Sequence, residues 1–501
     1  MNLKRRWRIP IALVLSLSAL FALYVDCTGS GFQAKSSSSA VAANGTIAGG
    51  GTQPGGGGST GGSGGTGGGS GSSPSGAATC GSNNPISAAS FYPCATYFNM
   101  PVTNAATDPN SAKLIAALQS NGAWGGTPGN PHNFGITGLS YADGDPGIDV
   151  YYTNDPVTSP VSMAVDLSNT SATNDPLPFI PIPSGGSTKG FEDGDTTCSS
   201  GGDCHYIVMD LNNQWEVDAY QGSTNPTTNV FSSGGGTAIW PFTPPSGGWY
   251  QTLRGNGCTS ADATGLPIGP LLFSVEEIAA GQINHAIRFI LNNEEIAHLA
   301  YVFPGTHTTY AASASPGSGM PYGAWLRLRP DYPVSSLPCG TKGCAAQVIA
   351  KALQTYGMIL ADGGTITLTA KSDTYSSVHY TDYFSASGFS HDLSALQPSD
   401  FAVIQPPGVP TGMPTSIPSV FGGQHTQIFL EPISTIASSP TTVPDLTCYR
   451  NFSYSYLSAA NASVTNPPSA TASEWSSSES GCGSVTNLMQ WLSCQISQGN
   501  N

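Results

Sequence analysis

Between Thr28 and Ala78 the chain is dominated by Gly, Ser and Thr, and the stretch from Gly55 to Gly71 is close to pure linker. Such a segment has almost no apolar side chains to bury against the entropy of ordering its backbone, so it reads as a flexible spacer. Any fold is therefore confined to the chain beyond Ala78. The sequence divides into an N-terminal segment at 1–27, the spacer at 28–78, a globular region at 79–445 and a cysteine-containing extension at 446–501 packed on that region. Residues 405–445 are rich in Pro, Ser and Thr and read as irregular.

The N-terminal segment carries Lys4, Arg5, Arg6 and Arg8, then an apolar run from Ile9 to Val25. That is the pattern of a secretory signal peptide or an N-terminal anchor. It places the globular region at the extracellular or cell-envelope surface. Cys27 stands where a lipid could be attached, although Asp26 occupies a place where a lipobox wants a small residue.

Cysteine usage agrees with export. The ten cysteines beyond Cys27 form an even set, which reads as disulfides rather than metal ligands because no Cys-x-x-Cys occurs. Spacing predicts Cys198–Cys204, Cys339–Cys344 and Cys482–Cys494, with Cys80–Cys94 and Cys258–Cys448 as the remaining pairs.

Charged residues make up only 9% of the chain, and the net charge is −15 with no Lys/Arg cluster beyond the N-terminus. This argues against a nucleic-acid partner. Membrane contact is expected only through the N-terminal anchor or a lipid, and the protein is expected to be a monomer.

Strand signals dominate after Thr79. A hairpin is predicted from His205–Leu211 and Gln214–Tyr220, turned at Asn212-Asn213. A helix is expected from an N-cap at Ser111 to Gly122, and a capping box at Ser274-Val-Glu-Glu277 opens another through Ile278 and Ile283. An apolar stripe of Ala345, Val348, Ile349, Ala352, Leu353 and Tyr356 predicts a helix over 345–356, closed by Gly357. Strands are expected at Ala286–Leu291, Met358–Ala361 and Thr365–Thr369, the last two joined by Asp362-Gly363-Gly364. The fold class is mainly β with a few short helices (α+β): a sandwich-like or irregular single large unit, stapled by disulfides.

Several stretches resemble a largely uncharacterised family of secreted bacterial proteins found among carbohydrate-active secretomes. They include Pro131-His-Asn-Phe-Gly135, Gly202-Asp-Cys-His205 and Ser260-Ala-Asp-Ala-Thr-Gly-Leu-Pro267. His285-Ala-Ile-Arg288-Phe289 and Tyr356-Gly-Met-Ile-Leu-Ala-Asp362-Gly continue the series, which spans about 108–363. The sequence departs from the pattern at Gln282 and Asn284, where acidic residues are usual, and at Gly363, where Asn is usual. The resemblance implies an exported unit of this extent.

Alternation along the hairpin puts Glu216, Asp218 and Tyr220 on one strand face. Two carboxylates beside an aromatic suit a glycosidase acid and nucleophile or base with a sugar-stacking ring, and the plain alternative is a solvated strand face. His205, at the start of the preceding strand, is a further acid/base candidate, with Asp210 on the opposite face. Glu277, His285 and Arg288 bring an acid, a base and a guanidinium close in sequence, although Glu277 already serves the capping box. Arg288 and Arg327 could grip substrate, Arg288 pairing bidentately with a uronate or instead locking Glu276 or Asp362 in an ion pair. Asp362 is either a substrate ligand or a turn residue, and His132 and His307 are further candidates. No His-Glu-x-x-His, Walker loop or dinucleotide fingerprint occurs, and the only Gly-x-Ser-x-Gly lies inside the spacer.

The expectation is an exported enzyme acting on extracellular polysaccharide or cell-wall glycan, hydrolase or lyase. The catalytic candidates are Glu216, Asp218, His205 and His285. The substrate-binding candidates are Arg288, Arg327, Tyr220 and Asp362. The alternative is a non-catalytic surface or carbohydrate-binding protein. No cofactor is expected, although the acidic loop Glu192-Asp-Gly-Asp195 would permit calcium.

Overall fold

The structure, a computed structural model, describes residues 87–137, 147–166, 179–199, 201–242, 260–309, 311–314, 318–365 and 367–405. In chain order the first strands are β1 (Ile136–Thr137), β2 (Tyr151–Tyr152), β3 (Pro160–Asp166), β4 (Phe179–Pro183), β5 (Tyr206–Asp210), β6 (Trp215–Asn225) and β7 (Val230–Pro241). They are followed by β8 (Ile287–Leu291), β9 (Ile296–Tyr301), β10 (Met320–Tyr322), β11 (Trp325–Leu328), β12 (Met358–Gly363), β13 (Leu368–Thr369) and β14 (Phe401–Ile404). The α-helices among the described residues are α1 (Ser111–Asn121), α2 (Val275–Ala280) and α3 (Ala345–Thr355). The fold is mainly β, as the sequence predicts.

Two six-stranded sheets form the framework, ordered β2-β5-β6-β7-β3-β4 and β1-β13-β8-β12-β11-β14. The predicted hairpin is β5–β6, with Tyr206 opposite Ala219 and Asp210 opposite Trp215. Asp210 caps its turn by accepting from the backbone N–H groups of Asn212 and Asn213. Strict alternation along β6 sends Trp215, Val217 and Ala219 into a core with Tyr151, Ile180 and Phe231. The other face of the first sheet meets the second: Ile207, Met209, Ala238 and Trp240 share one core with Trp325, Ile359 and Ile404. The far face of the second sheet is covered by helices, with Leu114 and Leu118 of α1 and Ile349 and Leu353 of α3 in one cluster with Phe289, Leu326 and Leu360. A sheet face can be both apolar and buried only when another layer covers it, which is why β6 carries no solvated face.

The arm from Ala88 to Val102 also enters the inter-sheet core through Tyr92, Tyr97 and Phe98, none more than 1% exposed. Each such aromatic contributes about 1.5–3 kcal/mol by burial. Arg327, on β11, holds this arm by donating to the carbonyl oxygens of Val102, Thr103 and Ala105.

Several local expectations are refined. Asn110, not Ser111, is the N-cap of α1. The capping box of α2 is complete, but left-handed Gly281 ends the helix before Ile283. The expected strand at 365–369 contracts to β13, and it does not pair with β12; both strands flank β8. Asp362 and Gly363 continue β12 instead of turning away, across a register shift between Leu360 and Asp362. Of the predicted disulfides, Cys198–Cys204 and Cys339–Cys344 are formed, and Cys94 is also disulfide-bonded. Cys80, Cys258, Cys448, Cys482 and Cys494 lie outside the described residues, as do 1–27, the spacer and 446–501.

Candidate functional site: a polar centre between the sheets

Charged side chains interrupt the apolar filling between the two sheets. Arg288 lies on β8 between Ile287 and Phe289, whose side chains point to the helical core, so alternation aims the guanidinium at the first sheet. It is 3% exposed. Its Nε and Nη2 donate to the two oxygens of Asp262, both at 2.9 Å; Nη2 also reaches Asp362 at 3.1 Å, and Nη1 reaches Thr369 Oγ1 at 3.0 Å. The irregular register of β12 explains Asp362: simple alternation after Ile359 would aim it at the helical core, and the extra residue turns it back toward Arg288. Asp362 also accepts from the Gly363 N–H at 2.7 Å. Burial, reinforced by Asp262, pushes the Asp362 carboxyl well above the usual range despite the guanidinium.

Glu216 and Asp218 project from β6 into the same layer, and neither has any exposed surface. Tyr92 Oη donates to Glu216 Oε2 at 2.6 Å and the Gly269 N–H to Oε1 at 2.7 Å. The Ile268 N–H and Trp240 Nε1 donate to Asp218 Oδ2 at 3.0 and 3.1 Å. Gly269 must be glycine for this approach, since a Cβ there would stand 2.7 Å from Glu216 Oε1. Burial raises the Glu216 carboxyl to about 7. Burial and the Glu216 charge raise Asp218 well above its ordinary value. The alternative of a solvated strand face is thus corrected, and the two carboxyls expected as acid and nucleophile or base are sealed from solvent. The segment from Ile268 to Leu272 and the N-terminal arm close over them.

At the rim the centre becomes partly accessible. His205, just before β5, is 2% exposed. Its Nδ1 contacts Glu192 Oε2 at 2.9 Å, and its Nε2 lies 3.2 Å from the Ala261 carbonyl oxygen. Burial alone would lower the imidazole pKa, but Glu192 and Asp203 outweigh it and raise it to about 10. His205 is therefore an imidazolium at neutral pH and cannot be the general base. Glu192 retains 16% side-chain exposure, and Asp203 is half-buried beside the Tyr220 hydroxyl at 3.4 Å. The two carboxyls shift in opposite directions. Burial raises Asp203 against the pull of His205, whereas His205 overcomes burial at Glu192 and lowers it. The Tyr220 ring stands 5.6 Å from the His205 ring.

Other candidates lie apart. His285 is buried against Glu277 at 3.2 Å and against its neighbour's carbonyl, Ala286 O, at 2.7 Å. It braces Glu277 of the α2 capping box rather than facing the rim. Arg327 is committed to the N-terminal arm. His307 hydrogen-bonds the Ala263 carbonyl at 2.8 Å, and burial lowers its pKa to about 4. Exposed His132 lies 3.3 Å from the Thr365 carbonyl. The loop Glu192-Asp-Gly-Asp195 spends Glu192 on His205 and Asp195 on Thr197 and Ser199. Among the described residues no group of three or more His, Cys, Asp or Glu is arranged to hold a metal ion. A surface groove of about 480 Å3, lined by Ser336, Ser385, His391 and Asp392, lies beside the helical core instead.

Comparison with family models, curated proteins and solved structures gives no match.

Asp262 and Asp203 do not stand out as site residues in the sequence, and Glu192 does so only in a loop that would permit calcium, so none of the three is singled out as an acid/base candidate. Two of them sit inside the resembling stretches, Asp203 in Gly202-Asp-Cys-His205 and Asp262 in Ser260-Ala-Asp. Segments far apart in sequence thus meet at one centre: 203–205, 262, 288 and 362.

Proposed function

We propose that this chain is an exported enzyme acting on extracellular polysaccharide, a glycoside hydrolase or lyase, with its acid/base chemistry at the rim carboxyls Asp203 and Glu192. The observation that carries this reading is the opposite displacement of two partly accessible carboxyls around one imidazolium. Burial strengthens the hold of Asp203 on its proton and suits it to serve as the acid, while the His205 charge favours the ionised form of Glu192. Tyr220 is buried with its ring against His205 rather than open for sugar stacking, and its hydroxyl donates to Asp203. Arg288, Asp262 and Asp362 are positioning residues that fix the floor under His205. Export agrees with the disulfides at Cys198–Cys204 and Cys339–Cys344 and with the bonded Cys94, since disulfides persist in oxidising compartments. The N-terminal segment would deliver the protein to the cell envelope or beyond, with Cys27 as the place of lipid attachment.

The test is incubation of the full chain with a panel of polysaccharides, reading reducing ends and unsaturated-product absorbance. Asp203→Asn should lower turnover by roughly 100-fold or more, as removal of a general acid does, while thermal unfolding stays near that of the parent. The pH–rate profile should fall on the acid side as Glu192 protonates and on the alkaline side as Asp203 ionises. A second reading, a non-catalytic glycan binder, is favoured by the complete internal pairing of Glu216 and Arg288. Silence across the panel with retained capture on one immobilised polymer would select it.

A further inference from the structure

Among the described residues, the large apolar side chains with substantial exposure are Val157 (80%), Tyr375 (43%) and Val161 (42%). Two of them meet the two ends of one ion pair. Lys189 Nζ donates to Asp155 Oδ2 and also lies 5.3 Å from the centroid of the Tyr375 ring. The other Asp155 oxygen accepts from the Val157 N–H at 2.8 Å and the Thr158 N–H at 3.2 Å. The Tyr375 hydroxyl is hydrogen-bonded to Thr188 Oγ1. The ring is thus held at its tip by Thr188 and from one side by Lys189, yet the residue stays open to water. The side chains of Lys189 and Asp155 also keep 13% and 17% exposure. Clustered exposed apolar groups interleaved with polar ones mark a contact surface.

The chemistry of this patch fits a sugar. A pyranose offers a face of C–H bonds and a rim of hydroxyls. The face lies on an aromatic ring, and the hydroxyls accept from an ammonium and donate to a carboxylate. A ring already fixed by two partners loses little freedom when a ligand settles on it. Tyr220, the ring expected to stack sugar, is buried against His205, whereas Tyr375 is open. The patch also adjoins the rim. Lys189 and Glu192 share one segment, turned by the bond from the Phe191 N–H to the Thr188 carbonyl at 3.0 Å. Three residues of chain keep their Cα atoms within about 11 Å of each other. Resting on the glycan reading above, though not on the acid/base assignment at the rim, we propose that Tyr375, Val157 and the Lys189–Asp155 pair form a platform that binds a polysaccharide chain.

The test is affinity electrophoresis of the full chain through gels containing mixed-linkage glucan, galactomannan or polygalacturonate, with reducing ends read in parallel. At least one polymer should retard the parent. Tyr375→Ala should weaken that retardation about tenfold, the order of loss expected when an anchoring aromatic is truncated. Tyr375→Phe keeps the ring and should retain most of the binding, while Val157→Ser should weaken it about threefold. Melting temperatures should stay near that of the parent, because both positions are exposed. A loss in Tyr375→Phe as large as in Tyr375→Ala would overturn the stacking role of the ring. New reducing ends without retardation, or unchanged retardation of Tyr375→Ala by every polymer that holds the parent, would overturn the platform while leaving the glycan reading in place. Self-association abolished by Tyr375→Ala, without retardation by any polymer, would overturn it and mark the patch as a protein contact. Absence of both retardation and reducing ends would refute the platform and the glycan reading together.

Discussion

The molecule contains two pairs of carboxyls within one layer, and their surroundings drive them to opposite ends. Glu216 and Asp218 sit two residues apart on a central strand, sealed from water and met by four donors from Tyr92, Trp240, Ile268 and Gly269. Glu192 and Asp203 come from loops at the rim and flank a charged imidazole. The first pair, both raised by burial, fastens one sheet to the segment above it. The second pair is displaced in opposite directions, Asp203 upward and Glu192 downward, at positions that keep some exposure. Spacing along a strand, which singles out the first pair, says nothing about which pair solvent can touch.

The largest effect that would break this contrast comes from the cation shared by the buried centre. Arg288→Met leaves Asp262 and Asp362 buried without their counter-charge. It should cost about 3–5 kcal/mol, read from the urea midpoint. A loss below about 1 kcal/mol would mean that the pairs of Arg288 with Asp262 and Asp362 add little net stability to the buried centre. Next comes the sealed carboxyl pair. A carboxyl raised from 4.5 to about 7 favours folding most below its unfolded value and loses that contribution as pH rises through 7. Glu216→Gln should therefore flatten the decline of the melting temperature between about pH 5 and 8, by the equivalent of about 3 kcal/mol. An unchanged slope would assign the decline to another group, with Glu295, raised by burial to about 8, the first to examine.

At the rim the effects shrink. Replacing Cys198 and Cys204 together by Ser removes a short loop closure worth about 2 kcal/mol and should loosen Asp203 more than β5. Hydrogen exchange would locate the change, and protection lost throughout β5 and β6 would show that the rim and the buried centre are one cooperative unit. Smallest of all is Lys342→Ala. The Lys342 side chain is 63% exposed in its pair with Asp382, so no measurable shift in melting is expected.

Periodicity makes the hairpin, the capping box and α3 legible, because each is fixed by residues close in sequence. The same signal places Glu216, Asp218 and Tyr220 on one face correctly. It cannot tell that a second sheet covers that face, since burial of a strand face depends on which layer folds over it. Asp362 shows a further limit. One irregular residue in β12 reverses the direction of every side chain after it, and nothing in Leu360-Ala-Asp362 announces the shift. For Arg288 the sequence admits either a uronate or an ion pair. The pair with Asp362 forms, but the dominant partner, Asp262, lies 26 residues away along the chain. Glu192 reads as a turn or calcium residue because its partner, His205, is brought to it by the Phe191–Tyr206 bridge rather than by sequence.

The arm that leads from the spacer into the domain has a mechanical meaning. Tyr92 is hydrogen-bonded to Glu216 between the sheets, and the carbonyls at 102–105 are gripped by Arg327 on β11. A pull applied through the spacer would therefore load the interior directly instead of peeling an outer strand. The Tyr92 link and the Arg327 grip lie in series along that line of force. If Arg327→Ala removes the grip, the arm should extend at lower force in a single-molecule pulling experiment while β7 and β8 remain folded. A domain held at the end of a long leash would then fail first at its point of attachment, with its rim still intact.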